Sequence, residues 1–117
     1  MGKRILVVDD SPVMRKMIGE ILEGSGHEIV GVAKNGSEGV SCYKVFKPDV
    51  VTMDITMRGT DGLAAAKEIL SFDPDAKIIF LSNVTDEKFR NNAFLIGARG
   101  YVNKNETKKI LTLIASL

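Results

Sequence analysis

Five times along this 117-residue chain, a short apolar run rich in β-branched residues gives way to a segment whose apolar residues recur at helical spacing. Strands are predicted over residues 5–8, 27–33, 49–53, 77–81 and 100–102. Between and after them, helices are predicted from Ser11-Pro12 up to Gly24-Ser25-Gly26, and over 37–46, 63–71, 86–96 and 106–117. Ile5, Leu6, Val7 and Val8 are apolar at every position, so that strand must be covered on both faces. Strands that alternate with helices through short connections form a parallel sheet sandwiched by helices, with right-handed crossovers. The helices carry their own punctuation. Ser11 is a cap and Pro12 suits a first turn, while Asn35-Gly36, Pro48, Pro74 and Gly97 break the segments. The predicted inward faces are Val13, Met14, Met17, Ile18, Ile21 and Leu22 in the first helix and Val40 and Tyr43 in the second. In the remaining three they are Leu63, Ala66 and Leu70, then Phe89, Ala93 and Ile96, then Ile110, Leu113, Ile114 and Leu117.

Composition narrows the class. At 44% hydrophobic and 26% charged, the chain has enough apolar surface for one core and is not a disordered polymer. One domain over residues 1–117 is expected, with no separate output module. Sixteen Lys and Arg against fifteen Asp and Glu leave a net charge of +1, so no broad field draws nucleic acid or an anionic membrane. Cys42 is the single cysteine and cannot close an internal disulfide, and no Cys/His cluster suits structural zinc. No apolar run reaches the ~20 residues that span a bilayer, and the start is too weakly apolar for a signal peptide. The expectation is a reduced, soluble, cytoplasmic domain.

In an open parallel sheet, ligands bind at the carboxyl ends of the strands. Asp9 and Asp10 follow the first strand, Asp54 the third, Ser82 the fourth and Lys104 the fifth. A lone Asp at a strand end is ordinarily a helix cap. Three carboxylates delivered to one edge from distant parts of the chain repel one another unless a cation neutralises them. Oxygen ligands of this kind suit Mg²⁺ or Mn²⁺.

These residues carry a resemblance. Asp9-Asp10 after a β-branched strand, Asp54 within Val50-Val51-Thr52-Met53-Asp54-Ile55-Thr56-Met57, Asp61-Gly62, Ser82, and Tyr101 with Lys104 resemble the receiver domain of two-component response regulators. The likeness covers essentially the whole chain, at the length of the CheY-like single-domain regulators. It implies the flavodoxin-like strand order 2-1-3-4-5. It also implies a phospho-activated signalling switch, not an enzyme that turns over an external substrate. Asp54 would be the phosphoacceptor, taking a phosphoryl group from a histidine kinase or phosphotransfer protein as an aspartyl phosphate. Asp10 and Asp54 would ligate the metal directly, Asp9 through a water, and Thr56 through its backbone carbonyl. Lys104 would pair with phosphoryl oxygens and Ser82 would hydrogen-bond one of them. Three aspartates and one lysine sum to −2, which a divalent cation cancels; phosphorylation then adds about −1.

The switch implied by the resemblance runs from Ser82 to Tyr101 and reshapes the surface of helix four, strand five and helix five, where a downstream target protein would bind. Phe94 points about 140° away from the Phe89/Ala93/Ile96 arc at ~100° per residue, so it is a candidate partner anchor. A monomer or a phosphorylation-dependent dimer is expected. Asn105 stands where the family usually has Pro after the lysine; a trans Lys104-Asn105 bond and a reshaped loop follow, since a cis bond there costs ~3 kcal/mol. Asn83 beside Ser82 and Arg58 after Met57 are further departures, and Thr56 and Val84 sit where the family tunes phosphoryl lifetime. They motivate an alternative: a degenerate receiver acting as a phosphorylation-independent interaction module, or a receiver excised from a larger regulator. Other motifs fail. Gly31 to Gly36 lacks the P-loop lysine, where Ser37 stands, and Asp54-Ile55-Thr56 lacks the second acid of haloacid-dehalogenase-type phosphatases. The acids after strand one are wrong for a flavin phosphate loop. His27 reads as a surface or strand-edge histidine, Cys42 as a surface thiol, and Met14 and Met17 as core.

Overall fold

The computed structural model describes residues 2–55, 57, 62–83 and 87–117. Five strands, β1 (Arg4–Val8), β2 (Glu28–Ala33), β3 (Val50–Asp54), β4 (Ile78–Ser82) and β5 (Gly100–Asn103), form one sheet in the order β2-β1-β3-β4-β5. All neighbours pair in parallel. Every residue of β3 and β4 is buried, as expected of strands covered on both faces. The helices are α1 (Pro12–Gly24), α2 (Gly36–Phe46), α3 (Gly62–Phe72), α4 (Glu87–Leu95) and α5 (Lys109–Ala115). Two core layers result. Ile18 and Leu22 of α1 and Ile110 and Ile114 of α5 pack on Ile5, Val7, Val50, Ile79, Leu81 and Val102. Val40 and Tyr43 of α2, Ala65, Ala66 and Ile69 of α3 and Ala93 of α4 pack with Leu6, Val8, Met53 and Phe80 on the opposite face.

Local chemistry fixes the helix starts. The Ser11 hydroxyl accepts from the Met14 N–H at 3.2 Å, with Pro12 in the first turn. Asn35 caps α2 by accepting from the Glu38 N–H at 2.8 Å. A Cβ at Gly100 would lie 2.7 Å from Leu113 Cδ1, so the glycine leaves space over β5 that the Leu113 side chain of α5 occupies.

Four expectations need correction. The last helix does not begin at Glu106. A 3₁₀ turn over Lys104–Glu106 precedes α5, because the Asn103 side chain takes the Asn105 N–H and tightens the chain there. The apolar arc of α1 is wider than the sheet can cover, so Val13 is 75% exposed and Met17 is exposed, while Met14 is only partly buried. The buried stripe of α3 centres on Ala65, Ala66 and Ile69, with Leu63 and Leu70 at its margins. Cys42 is not a surface thiol: it is partly buried against the core, and desolvation first, then the Glu38 charge, push its pKa up. His27 accepts the Lys3 N–H on Nδ1 at 3.0 Å at the edge of β2.

Candidate functional site

Register builds the site. Val8 pairs with Met53, so one step further along each strand Asp9 and Asp54 emerge side by side on the sheet face shared with Val7 and Thr52. Backbone ladders hold both: Asp9 N–H donates to the Ala33 carbonyl at 3.0 Å, and Ile55 N–H to the Leu81 carbonyl at 3.0 Å. Asp9 is fully buried and Asp54 almost so. Asp10 is the most open of the three, and the three carboxylates offer ligand oxygens that all lie within 4.8 Å of one another. Lys104, carried past the end of β5, brings Nζ to 3.0 Å from Asp9 Oδ2 and 3.3 Å from Asp54 Oδ2. Its side chain is 8% exposed, so this ion pair is shielded from bulk water.

Three further groups shape the site, and sequence reasoning did not give them these contacts. Ser11 donates its backbone N–H to Asp9 Oδ1 at 2.9 Å while its hydroxyl caps α1. Arg15 donates from Nη1 to the Asp9 carbonyl at 2.7 Å, so the start of α1 holds both the carboxylate and the backbone of Asp9. Gly62 begins α3 directly against β3: its N–H donates to the Ile55 carbonyl at 3.2 Å, and a Cβ there would lie 2.1 Å from the Asp54 carbonyl oxygen. The glycine in Asp61-Gly62 was the available signal for this close approach.

Ser82 is buried at the end of β4, one residue beyond Leu81, which pairs with Asp54. It pairs in turn with Asn103 of β5. Tyr101 pairs with Phe80 and packs, half-buried, against the core layer of α2, α3 and α4. Asn83 is exposed, and Phe94 is exposed with Arg90 5.8 Å from its ring centroid. Thr56, Arg58, Asp61 and Val84 lie outside the described residues. Among the described residues all peptide bonds are trans, Lys104-Asn105 included, as expected.

The donor set fits a hard divalent cation. Asp9 Oδ2 is buried and makes no aligned hydrogen bond, although the Lys104 ammonium lies close to it. Three carboxylates against one ammonium leave excess negative charge in a low-dielectric edge, which a divalent ion with oxygen preference offsets.

Comparison with known proteins agrees with the fold. The family model described as response regulator receiver domain matches residues 5–115. Chemotaxis protein CheY of Thermotoga maritima is 46% identical over 104 residues, covering 89% of this chain and 87% of that protein. Chemotaxis protein CheY of Treponema pallidum is 44% identical over 117 residues, covering 97% of this chain and 81% of that protein. Among solved structures, the CheX–CheY–BeF₃–Mg²⁺ complex from Borrelia burgdorferi superposes with a TM-score of 0.92 at 32% identity, over 97% of this chain and 87% of that one. With sheet order, acidic edge and sequence in agreement, the chain belongs to the response regulator receiver domain family of two-component and chemotaxis signalling.

Proposed function

We propose that residues 1–117 act as one phospho-activated switch in which Asp54 is the phosphoacceptor. The observation that carries this reading is the meeting of Asp9, Asp10 and Asp54 within 4.8 Å, with the Lys104 ammonium in reach of two of them. An Asp54 carboxylate oxygen attacks the phosphorus of a phosphohistidine on a kinase or phosphotransfer protein. The O–P bond forms, the donor N–P bond breaks, and the donor imidazole leaves. Asp10 and Asp54, with Asp9 through a water and the Thr56 carbonyl, would hold Mg²⁺, or Mn²⁺ in its place, and the ion would supply positive charge against the transferring group. Lys104 exchanges its carboxylate partners for phosphoryl oxygens and so screens the added charge of about −1. Ser11 and Arg15 keep Asp9 oriented while this happens.

Ser82, at the neighbouring strand end, donates its hydroxyl to a phosphoryl oxygen. The pull on β4 is passed to Tyr101 on β5, and the α4/β5/α5 surface shifts between two states. That surface carries exposed apolar side chains for a partner protein, Phe94 and the 82%-exposed Leu95. The relative from Borrelia burgdorferi, solved together with CheX, beryllium trifluoride and magnesium, supports a protein partner recognised in the phosphoryl-like state. Turnover of an external substrate and contact with nucleic acid or membrane have no place in this reading. None of the described helices is long and apolar enough to cross a membrane. A cytoplasmic protein, monomeric or dimerising on phosphorylation, is the consistent picture. A phosphorylation-independent module is disfavoured because Lys104 still reaches Asp9 and Asp54 although Asn105 follows it.

Incubation with acetyl phosphate and Mg²⁺, followed by intact-mass spectrometry, tests the reading. One phosphate is expected, absent with EDTA and absent in Asp54→Ala. No added phosphate, or phosphate that survives Asp54→Ala, overturns it.

A further inference from the structure

We infer that Asn103 is a positioning residue for Lys104. The Asn103 side-chain oxygen accepts the backbone N–H of Asn105 at 2.8 Å, closing an Asx turn whose one enclosed residue is Lys104. Asn103 itself is anchored, because it ends β5 in register with Ser82 and holds an extended backbone at φ −70° and ψ 139°. The turn therefore ties the Lys104 backbone to the sheet at the point where the chain leaves it. From that anchor the lysine side chain runs back over the edge to Asp9 and Asp54, at 3.0 and 3.3 Å.

A long ammonium side chain loses much rotamer freedom when it is held between two carboxylates. Fixing its backbone in advance reduces what remains to be ordered, which is the logic of preorganised charge in phosphoryl transfer. The turn opens the 3₁₀ segment Lys104–Glu106, and no side-chain bond from the next two lysines adds to it. Lys108, which precedes α5, makes no side-chain cap bond, and Lys109 pairs with Glu106 instead of bracing the lysine loop. The bond also depends on residue 105 keeping an N–H, so the two asparagines act as donor and acceptor of one device.

The inference rests on the phosphoacceptor reading for its consequence, not for its geometry, so two measurements keep the failures apart. The first reads phosphorylation by acetyl phosphate at saturating Mg²⁺. Asn103→Ala is expected to slow the maximal rate about fivefold, the worth of one ordinary hydrogen bond, with Mg²⁺ affinity by calorimetry unchanged. Asn103→Ser and Asn103→Asp, which keep an acceptor oxygen, are expected to recover most of that rate. In an Asn105→Pro background, where the donor is already gone, Asn103→Ala is expected to add nothing. The second measurement needs no phosphate. The Lys104 ammonium is expected to give an ¹⁵N NMR signal in the wild type and to lose it to solvent exchange in Asn103→Ala. Wild-type phosphorylation in Asn103→Ala, an equal loss in the Asn105→Pro background, or an unchanged Lys104 signal overturns the inference. A wild-type chain that takes no phosphate but loses the Lys104 signal in Asn103→Ala keeps it and breaks the phosphoacceptor reading instead.

Discussion

The two edges of the sheet treat polar groups in opposite ways. At the amino edge, donors and acceptors match. Arg4 donates from Nη1 and Nη2 to the carbonyls of Lys47 and Phe46 at 2.8 and 2.7 Å, and its backbone N–H goes to Asp49 Oδ2 at 2.8 Å. Nearby the Tyr43 hydroxyl donates to Asp73 Oδ2 at 2.6 Å, and the Tyr43 ring stands edge-on to Phe72 with centroids 5.9 Å apart. At the carboxyl edge three carboxylates cluster, only Asp9 and Asp54 share the Lys104 ammonium, and the Arg15 Nη1 serves a backbone carbonyl, not a carboxylate. The same parallel sheet thus ends in a neutralised seam on one side and an anionic cluster on the other. Chemistry concentrates where the fold leaves charge uncompensated, and stability where it does not.

That contrast can be broken from either end. The largest effect is expected from Lys104→Met, which leaves two buried carboxylates with no ammonium. Urea unfolding without metal should show a loss of about 3 kcal/mol, partly restored by Mg²⁺. Gly62→Ala follows, at about 2–3 kcal/mol by the same measurement, since its Cβ would collide with the Asp54 carbonyl and the backbone must move. Removing charge should do the reverse: Asp54→Asn is expected to stabilise the metal-free protein by about 1 kcal/mol, because like charges at this separation repel strongly away from bulk water. At the amino edge Tyr43→Phe should cost about 1 kcal/mol and leave phosphorylation untouched.

The smallest effect is a pH dependence. Burial first, then the hydrogen bond and charge of Asp73, hold the Tyr43 hydroxyl pKa above its ordinary value near 10. Above that pH the unfolded chain loses the Tyr43 proton while the folded chain keeps it. Stability should therefore fall as pH rises past about 10, and Tyr43→Phe should flatten that part of the curve, as followed by urea midpoints.

Much of this was legible in the sequence because it is local. The buried runs of β1, β3 and β4 declare themselves by composition, and the acids that end them need only the rule about strand ends to be brought together. The order β2-β1-β3-β4-β5 came from family resemblance, and the structure has it. What the sequence did not show depends on how much surface another element covers. Val13 and Met17 lie on the apolar arc of α1 but beyond the reach of the sheet, and Cys42 lies off the Val40/Tyr43 stripe yet close enough to the core to be desolvated. The hold of Ser11 and Arg15 on Asp9 needs the angle at which α1 leaves β1, which no periodicity encodes. The 3₁₀ turn at Lys104 came from a single side-chain bond that overrides the helical pattern from Glu106 onward.

The central claim is that the acids of the β1 and β3 tips hold a divalent cation and thereby ready Asp54 for a phosphoryl group. An NMR titration of the labelled chain with Mg²⁺ and beryllofluoride tests it most directly, followed at Tyr101. The account predicts that Tyr101 shifts when both are present, that beryllofluoride alone does nothing, and that Asp54→Ala abolishes the response. A Tyr101 signal that ignores both reagents, or that responds equally without the metal, would contradict it.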